Sequence, residues 1–276
     1  MVAQRRSHAQ PRTVNRQRRR WLQALAQALA CAALPWSLGH AASAAVTRPR
    51  IALIIDDLGH ALEAGQRVVR LPGRVTGAVL PHTPHAARLA EAVQAAGHEV
   101  MLHLPMQPAV PGVPIGPGGI YLDTQRAELR ETLDAALASV PHVVGVNNHM
   151  GSGVTRHPGL MLWLMEELAD RQPLYWVDSR TTAETVAEQK AHALRVPALR
   201  RDVFLDHEAT PEGVARQFAR LQLLARARGS AVGIGHPYPV TLAFLEQALP
   251  QLARAGFDLV TPTELLLAAP ARAPGA

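Results

Sequence analysis

The sequence predicts an α/β fold in which strands and helices alternate around a (β/α) barrel. Three observations support this. Short apolar runs rich in β-branched residues, led by Ile51-Ala52-Leu53-Ile54-Ile55, read as fully buried parallel strands. Helix-like segments follow each of them in turn. The polar residues that follow the runs gather at their carboxyl ends, where α/β folds keep their sites. An open doubly wound sheet is the alternative that the same alternation allows.

The elements follow in order. Strands are expected at 51–55, 75–80, 99–104, 143–147, 174–178, 202–205, 231–235 and 257–260. Helices are expected between them at 61–70, 84–96, 124–139, 158–171, 183–194, 211–228, 239–255 and 262–268. Pro84, Pro158, Pro211 and Pro239 stand where a proline starts a helix well, and Gly97, Gly229 and Gly256 where a glycine ends one. Pro105–Gly119, crowded with proline and glycine, is a long loop after the third strand, expected to serve as a lid or substrate wall.

Of the 276 residues 48% are hydrophobic, enough for one large domain or two small ones. The formal charge is +6, but residues 1–44 hold seven arginines and no acid, so the remainder carries 6 − 7 = −1. The basic character belongs to the leader, and a nucleic-acid partner is excluded because nothing else forms a basic stripe. Arg18-Arg19-Arg20, the apolar segment Trp21 to Leu38 and Ala42-Ser43-Ala44 read as an export signal cleaved after Ala44, which places the protein in the periplasm or otherwise outside the cytoplasm. An uncleaved anchor is the competing reading, but the segment is short and Pro35 interrupts it. After cleavage no stable membrane insertion is expected. Cys31 is the single cysteine, and Ala28-Leu29-Ala30 before it makes a poor lipoprotein box, so the mature chain has no thiolate chemistry. Residues 45–50 form a linker, 51–268 the catalytic-type domain and 269–276 a disordered tail.

The first strand ends in Asp56-Asp57. Side chains alternate along a strand, so the two carboxylates are expected to take different tasks. A helix cap at Asp57 is an equal alternative from this stretch alone. The third strand ends at His103, the fourth in Asn147-Asn148-His149-Met150-Gly151-Ser152, the fifth in Asp178-Ser179-Arg180, and the seventh in Gly235-His236-Pro237. Asp57, His103 and His149 can supply an Asp-His-His set for a divalent metal, Zn²⁺ first and Co²⁺ or Mn²⁺ as alternatives. Asp56 then stands as general base, His236 as general acid and Asp178 as the carboxylate that orients His236. Asn148, Ser152, Arg180 and Arg201 are the candidate substrate-binding residues. A metal-free glycosidase pair of Asp56 and Asp57 is weaker, because adjacent strand residues point apart. His98, at a helix-to-strand turn, is expected to be structural.

These segments resemble the NodB-type polysaccharide deacetylases, and more closely their divergent, YibQ-like branch. Ile54-Ile55-Asp56-Asp57 resembles the family's Asp-Asp motif, Gly97 to His103 the strand that ends in the first metal histidine, and Ala231 to Leu265 the motif that supplies the catalytic histidine. The resemblance covers about residues 50–268. It implies a distorted (β/α) barrel of the NodB type and metal-dependent removal of acetyl groups from a polysaccharide or cell-wall glycan. The usual second metal histidine, four positions after the first, is here Gln107, and His149 is expected to replace it. The customary Arg-Pro pair is also missing, and Arg180 or Arg201 is expected to substitute. The rival reading is a non-catalytic periplasmic protein that binds glycan or a partner on the same barrel.

Overall fold

The computed structural model describes residues 48–171 and 173–268. The predicted export signal, residues 45–47 of the linker and the tail lie outside them. Strand β1 (Arg50–Leu58) is the central stave, and Ile51 to Ile55 are fully buried on both faces. After it come α1 (Leu62–Val69), β2 (Thr76–Val79), α2 (Ala86–Ala95), β3 (Glu99–Met106), α3 (Arg126–Ser139) and β4 (Val143–Met150). The second half holds α4 (Pro158–Asp170), β5 (Tyr175–Asp178), α5 (Ala187–Ala193), β6 (Ala198–Arg200), β7 (Val203–Phe204) and α6 (Pro211–Arg228). It closes with β8 (Ser230–Gly235), α7 (Pro239–Leu252), β9 (Asp258–Val260) and α8 (Pro262–Ala268).

All the strand pairings are parallel, in the order β6-β5-β4-β3-β2-β1-β8-β7. Strand β8 runs along one edge of β1 from Arg50 to Ile55, while β9 and then β2 share the other edge. The strand expected at 202–205 is Val203–Phe204, and a further short strand, Ala198–Arg200, stands just before it. Ala198–Arg200 pairs with β5, Val203–Phe204 with β8, and the junction bonds both ways: the Arg201 N–H donates to the Asp178 carbonyl and the Asp202 N–H to the Val232 carbonyl. That seam makes the barrel distorted. Ala198-Leu199-Arg200 escaped the sequence reading because it is short, holds no β-branched residue and ends in an arginine followed by another.

The helix starts follow local chemistry. Pro158, Pro211 and Pro239 each open a helix, and the Thr210 side chain accepts the Gly213 N–H at 3.0 Å to cap α6. Pro84 does not open one, because His85 occupies the cap and α2 begins at Ala86. Gly229 ends α6 in the left-handed region, as expected of a C-terminal glycine. Helix α5 begins at Ala187 rather than 183, since Thr182 and Thr185 accept backbone N–H groups in the turn before it.

Two apolar layers result. One lies between the sheet and its helices; the other fills the barrel, where Ala52, Ile54, Met101, Val177 and Ile234 meet Leu265 of α8. One step further along β1, β3 and β8, the inward positions become Asp56, His103 and His236. The barrel is thus dry below and polar at its carboxyl rim. His98 is structural, as expected: its Nε2 meets the Val69 carbonyl at 3.0 Å.

Packing inside the barrel gives a test. Tyr175 on β5 lies over Gly145 of β4 and reaches Glu99 on β3, and a Cβ at residue 145 would overlap its ring. Gly145→Ala is expected to cost about 1–3 kcal/mol, read as a lower urea midpoint with an unchanged m-value. An unchanged midpoint would contradict this packing.

Candidate active site

A regular strand would aim Asp56 and Asp57 at opposite faces. It does not here. The β1–β2 register shifts between Ile55 and Leu58, and Asp57 has φ 59°, in the left-handed region. This bulge turns the Asp57 carboxylate back to the rim beside Asp56. The helix-cap alternative falls with it, because the cap of α1 is Ala61, without a side-chain bond.

Asp57 Oδ1 lies 3.1 Å from His103 Nε2 and 2.9 Å from His149 Nδ1, and the two nitrogens are 3.2 Å apart. The β3–β4 register builds this triangle: His103 pairs with Asn147, and His149, two residues on, returns to the same face. Asn147 is the hidden organiser. Its Oδ1 accepts the His103 Nδ1–H at 2.7 Å, and its Nδ2 donates to Asp56 Oδ1 at 2.8 Å. That bond leaves the His103 Nε2 lone pair facing Asp57 and His149.

Asp57 Oδ1 is buried and has no well-directed hydrogen-bond donor. Three electron-pair donors converging on one point repel each other unless a cation or proton lies among them. A tetrahedral ion with bonds of about 2.0–2.2 Å keeps its donors roughly 3.3–3.6 Å apart, so the triangle fits after a small opening. These three side chains form the described His/Asp group able to hold a metal ion. Burial opposes charge on Asp57, but the two imidazoles outweigh it and hold its carboxyl well below the usual range. Burial likewise opposes charge on His103, yet Asp56 and Asp57 raise it to about 9. Gln107 takes no part: its Oε1 accepts the Leu122 N–H at 2.8 Å and anchors the loop.

Asp56 is almost fully buried, with Oδ2 3.8 Å from His103 Nε2. Burial raises its pKa, only partly offset by the charges on His103 and His236 and by the Asn147 bond. His236 stands at the end of β8, its Nε2 3.8 Å from Asp57 Oδ2. The carboxylate on its Nδ1 is Asp206, at 2.9 Å, and not the expected Asp178. Asp206 also accepts the His236 backbone N–H at 2.6 Å and the Thr241 hydroxyl at 2.9 Å. Asp178 is committed elsewhere, to the Arg180 N–H and the Thr185 hydroxyl, both at 2.8 Å. Burial lowers the His236 pKa, but Asp206, Asp56 and Asp57 together raise it above the ordinary value. Tyr238 stacks on the ring and Phe204 meets its edge.

A cavity of about 310 Å³ lies over these groups, lined by Asp56, Asp57, His103, His149 and His236 together with Asn148 and Arg201. Asn148 is buried, its oxygen accepting the Ser179 N–H and its amide donating to the Met150 carbonyl, so it shapes the wall. Arg201 is held by the Ser179 and Arg180 carbonyls at 2.6 and 2.8 Å. Arg180 does not line this cavity. Ser152 does not either; its hydroxyl accepts the Ala109 N–H at 2.9 Å and pins the long loop. That loop forms the wall of an adjoining pocket of about 330 Å³, where Pro114 to Pro117 face Asp57 and His149. Asn147 and Asp206 were the residues that sequence reasoning passed over. The first sits two before His149 and so shares its face; the second follows β7 at the same rim.

Fold and rim site together define a barrel of the polysaccharide-deacetylase class. The chain belongs to the divergent polysaccharide deacetylase family, whose model matches residues 53–266. It is 36% identical over 203 residues to an uncharacterised protein of Haemophilus influenzae, covering 74% of this chain and 72% of that one. It is also 36% identical over 207 residues to the uncharacterised protein YibQ of Escherichia coli, covering 75% of this chain and 64% of the relative. The crystal structure of an uncharacterised protein from Agrobacterium tumefaciens shares the fold, with a TM-score of 0.77 at 23% identity over 80% of this chain and 90% of that one.

The geometry predicts metal affinities. Asp57→Asn, His103→Ala and His149→Ala are each expected to lower Zn²⁺ affinity by more than about a hundredfold, and Asn147→Leu by about tenfold to a hundredfold. Gln107→Ala should leave it unchanged. Competition titration with a chelating dye checks all five; full, tight occupancy in His149→Ala would refute the ligand set.

Proposed function

We propose that the protein is an exported, metal-dependent hydrolase that removes acetyl groups from a cell-envelope polysaccharide. The observation that carries this reading is the shared cavity. Asp56 and His236 each stand 3.8 Å from an atom of the Asp57-His103-His149 group, and both line the cavity over it. A divalent cation held by Asp57, His103 and His149 would supply Lewis-acid polarisation of the acetyl carbonyl and of the attacking water.

The chain's own groups do the proton work. Asp56 Oδ2 takes a proton from the water as its oxygen attacks the acetyl carbon; the raised pKa makes it a stronger base than an exposed carboxylate. Asn147 holds Asp56 Oδ1, which keeps the other oxygen as the working one. His236 Nε2–H gives its proton to the sugar nitrogen or oxygen as the bond to the acetyl carbon breaks, releasing acetate. Asp206 holds Nδ1, so that Nε2 faces the cavity and the imidazolium is favoured. Export rests on the leader sequence, and the glycan substrate on the family.

Two outcomes test this reading. Full-length protein with Zn²⁺, Co²⁺ or Mn²⁺ should release acetate from acetylated glycans, and Asp56→Asn should lose about 10²–10⁴-fold in rate while keeping its metal. No release from any acetylated glycan with metal bound would favour the non-catalytic binding protein. The second concerns pH. Asp206 raises the His236 pKa, so His236 stays protonated to higher pH than an ordinary imidazole. Asp206→Asn removes that support, and the alkaline limb of the pH–rate profile should move to lower pH. An unmoved limb would assign the leaving-group proton to another residue.

A further inference from the structure

On another side of the cavity lies a further pocket, of about 350 Å³, and Arg201 and Phe204 line both the cavity and this pocket. Arg180, Arg220, His207 and Gln217 complete its polar walls. Among the described residues no carboxylate pairs with Arg180, Arg201 or Arg220. By contrast Arg216 and Arg228, on the same helix as Arg220, pair with Glu208 and Asp202. Asp202 also borders the pocket, but its oxygens are taken by Arg228 at 3.1 Å and the Val232 N–H at 2.9 Å. Three arginines therefore line one pocket in a body whose formal charge, outside the leader, is 6 − 7 = −1.

The arrangement is held in place. Arg180 has φ 49°, and the buried Asp178, which leaves His236 to Asp206, fixes that turn through the Arg180 N–H. The Arg180 carbonyl in turn accepts from Arg201, whose guanidinium rests over the Phe204 ring at 4.9 Å. The Ser179 and Arg180 carbonyls and the Phe204 ring thus orient Arg201, and among the described residues its remaining N–H groups have no protein acceptor. Guanidinium forks recognise planar or tetrahedral oxyanions, and preorganised ones do so at lower entropic cost.

We propose that this pocket binds an anionic substituent, a carboxylate or a phosphate ester, carried by the glycan whose acetyl group enters the adjoining cavity. The substrate is then an acidic glycan. The inference rests on the function proposed above for its catalytic setting, but its test is a binding measurement. Full-length, Zn²⁺-loaded protein is titrated calorimetrically with trigalacturonate, with N-acetylglucosamine 6-phosphate and with neutral triacetylchitotriose. At least one anionic probe should bind about tenfold or more tightly than the neutral one, with an affinity that falls as salt rises. The two anionic arms tell carboxylate from phosphate. Arg180→Gln and Arg220→Gln should each weaken the anionic probe about tenfold and leave the neutral probe and Zn²⁺ affinity unchanged. Equal binding of charged and neutral probes, or variants that keep the wild-type affinity, would overturn the inference. Acetate release from neutral glycans with no preference for acidic ones would also overturn it while leaving the proposed function standing. Anion binding at Arg180 and Arg220 without any acetate release would do the reverse.

Discussion

The left-handed backbone at Asp57 is the constraint on which the rest of the site depends. A non-glycine residue there costs on the order of 1 kcal/mol, less for Asp than for most. The cost is borne by a strand that cannot yield. Ile51 to Ile55 are fully buried, and each of the isoleucine and leucine side chains among them contributes roughly 1.5–3 kcal/mol. The chain then turns through Gly59 at φ 127°, where any side chain would collide with Thr83 and the Leu80 carbonyl. Held from both sides, the bulge converts two carboxylates that would face apart into two that face one cavity. Met150 and Arg180, at the ends of β4 and β5, are in the same backbone region. Asp57, Met150 and Arg180 thus place three left-handed residues along the rim.

From that bulge the electrostatics follow. Asp57 sits against two imidazoles and stays ionised; Asp56, deeper and tied to an amide, is pushed toward neutrality by burial. Asn147 couples them, since one amide fixes both the His103 ring and one oxygen of Asp56. The opposite wall has its own support: Asp206 spans the His236 ring, the His236 backbone and Thr241, and so locks β8 to the chain after β7. On the function proposed above, two sequence-neighbouring acids and two buried hydrogen-bond partners set apart a ligand, a base and an acid.

Much of this was legible in the sequence, for physical reasons. β1 is so apolar that its burial and its polar end could not be mistaken, and the prolines and glycines punctuated most helices. His149 could be placed because its position at the strand-end rim and a missing histidine at Gln107 pointed the same way. What escaped were features that depend on pairing between distant segments. The Asp206–His236 bond joins residues thirty positions apart across two strands, and several acids at the rim were equally eligible, so Asp178 was the nearer guess. The reversal at Asp57 depends on a register shift that no one-dimensional pattern encodes. The cluster of Arg180, Arg201 and Arg220 exists because the barrel seam brings β5, β6 and α6 together; along the chain it is three isolated arginines.

The central claim is that His149 and the re-aimed Asp57 complete, with His103, a three-residue metal centre. Anomalous diffraction from crystals grown with Zn²⁺ tests it most directly. The account predicts one strong peak within bonding distance of Asp57, His103 and His149, with Asp56 and His236 outside it. A peak that takes Asp56 as a ligand, or one that lies away from His149, would contradict the account.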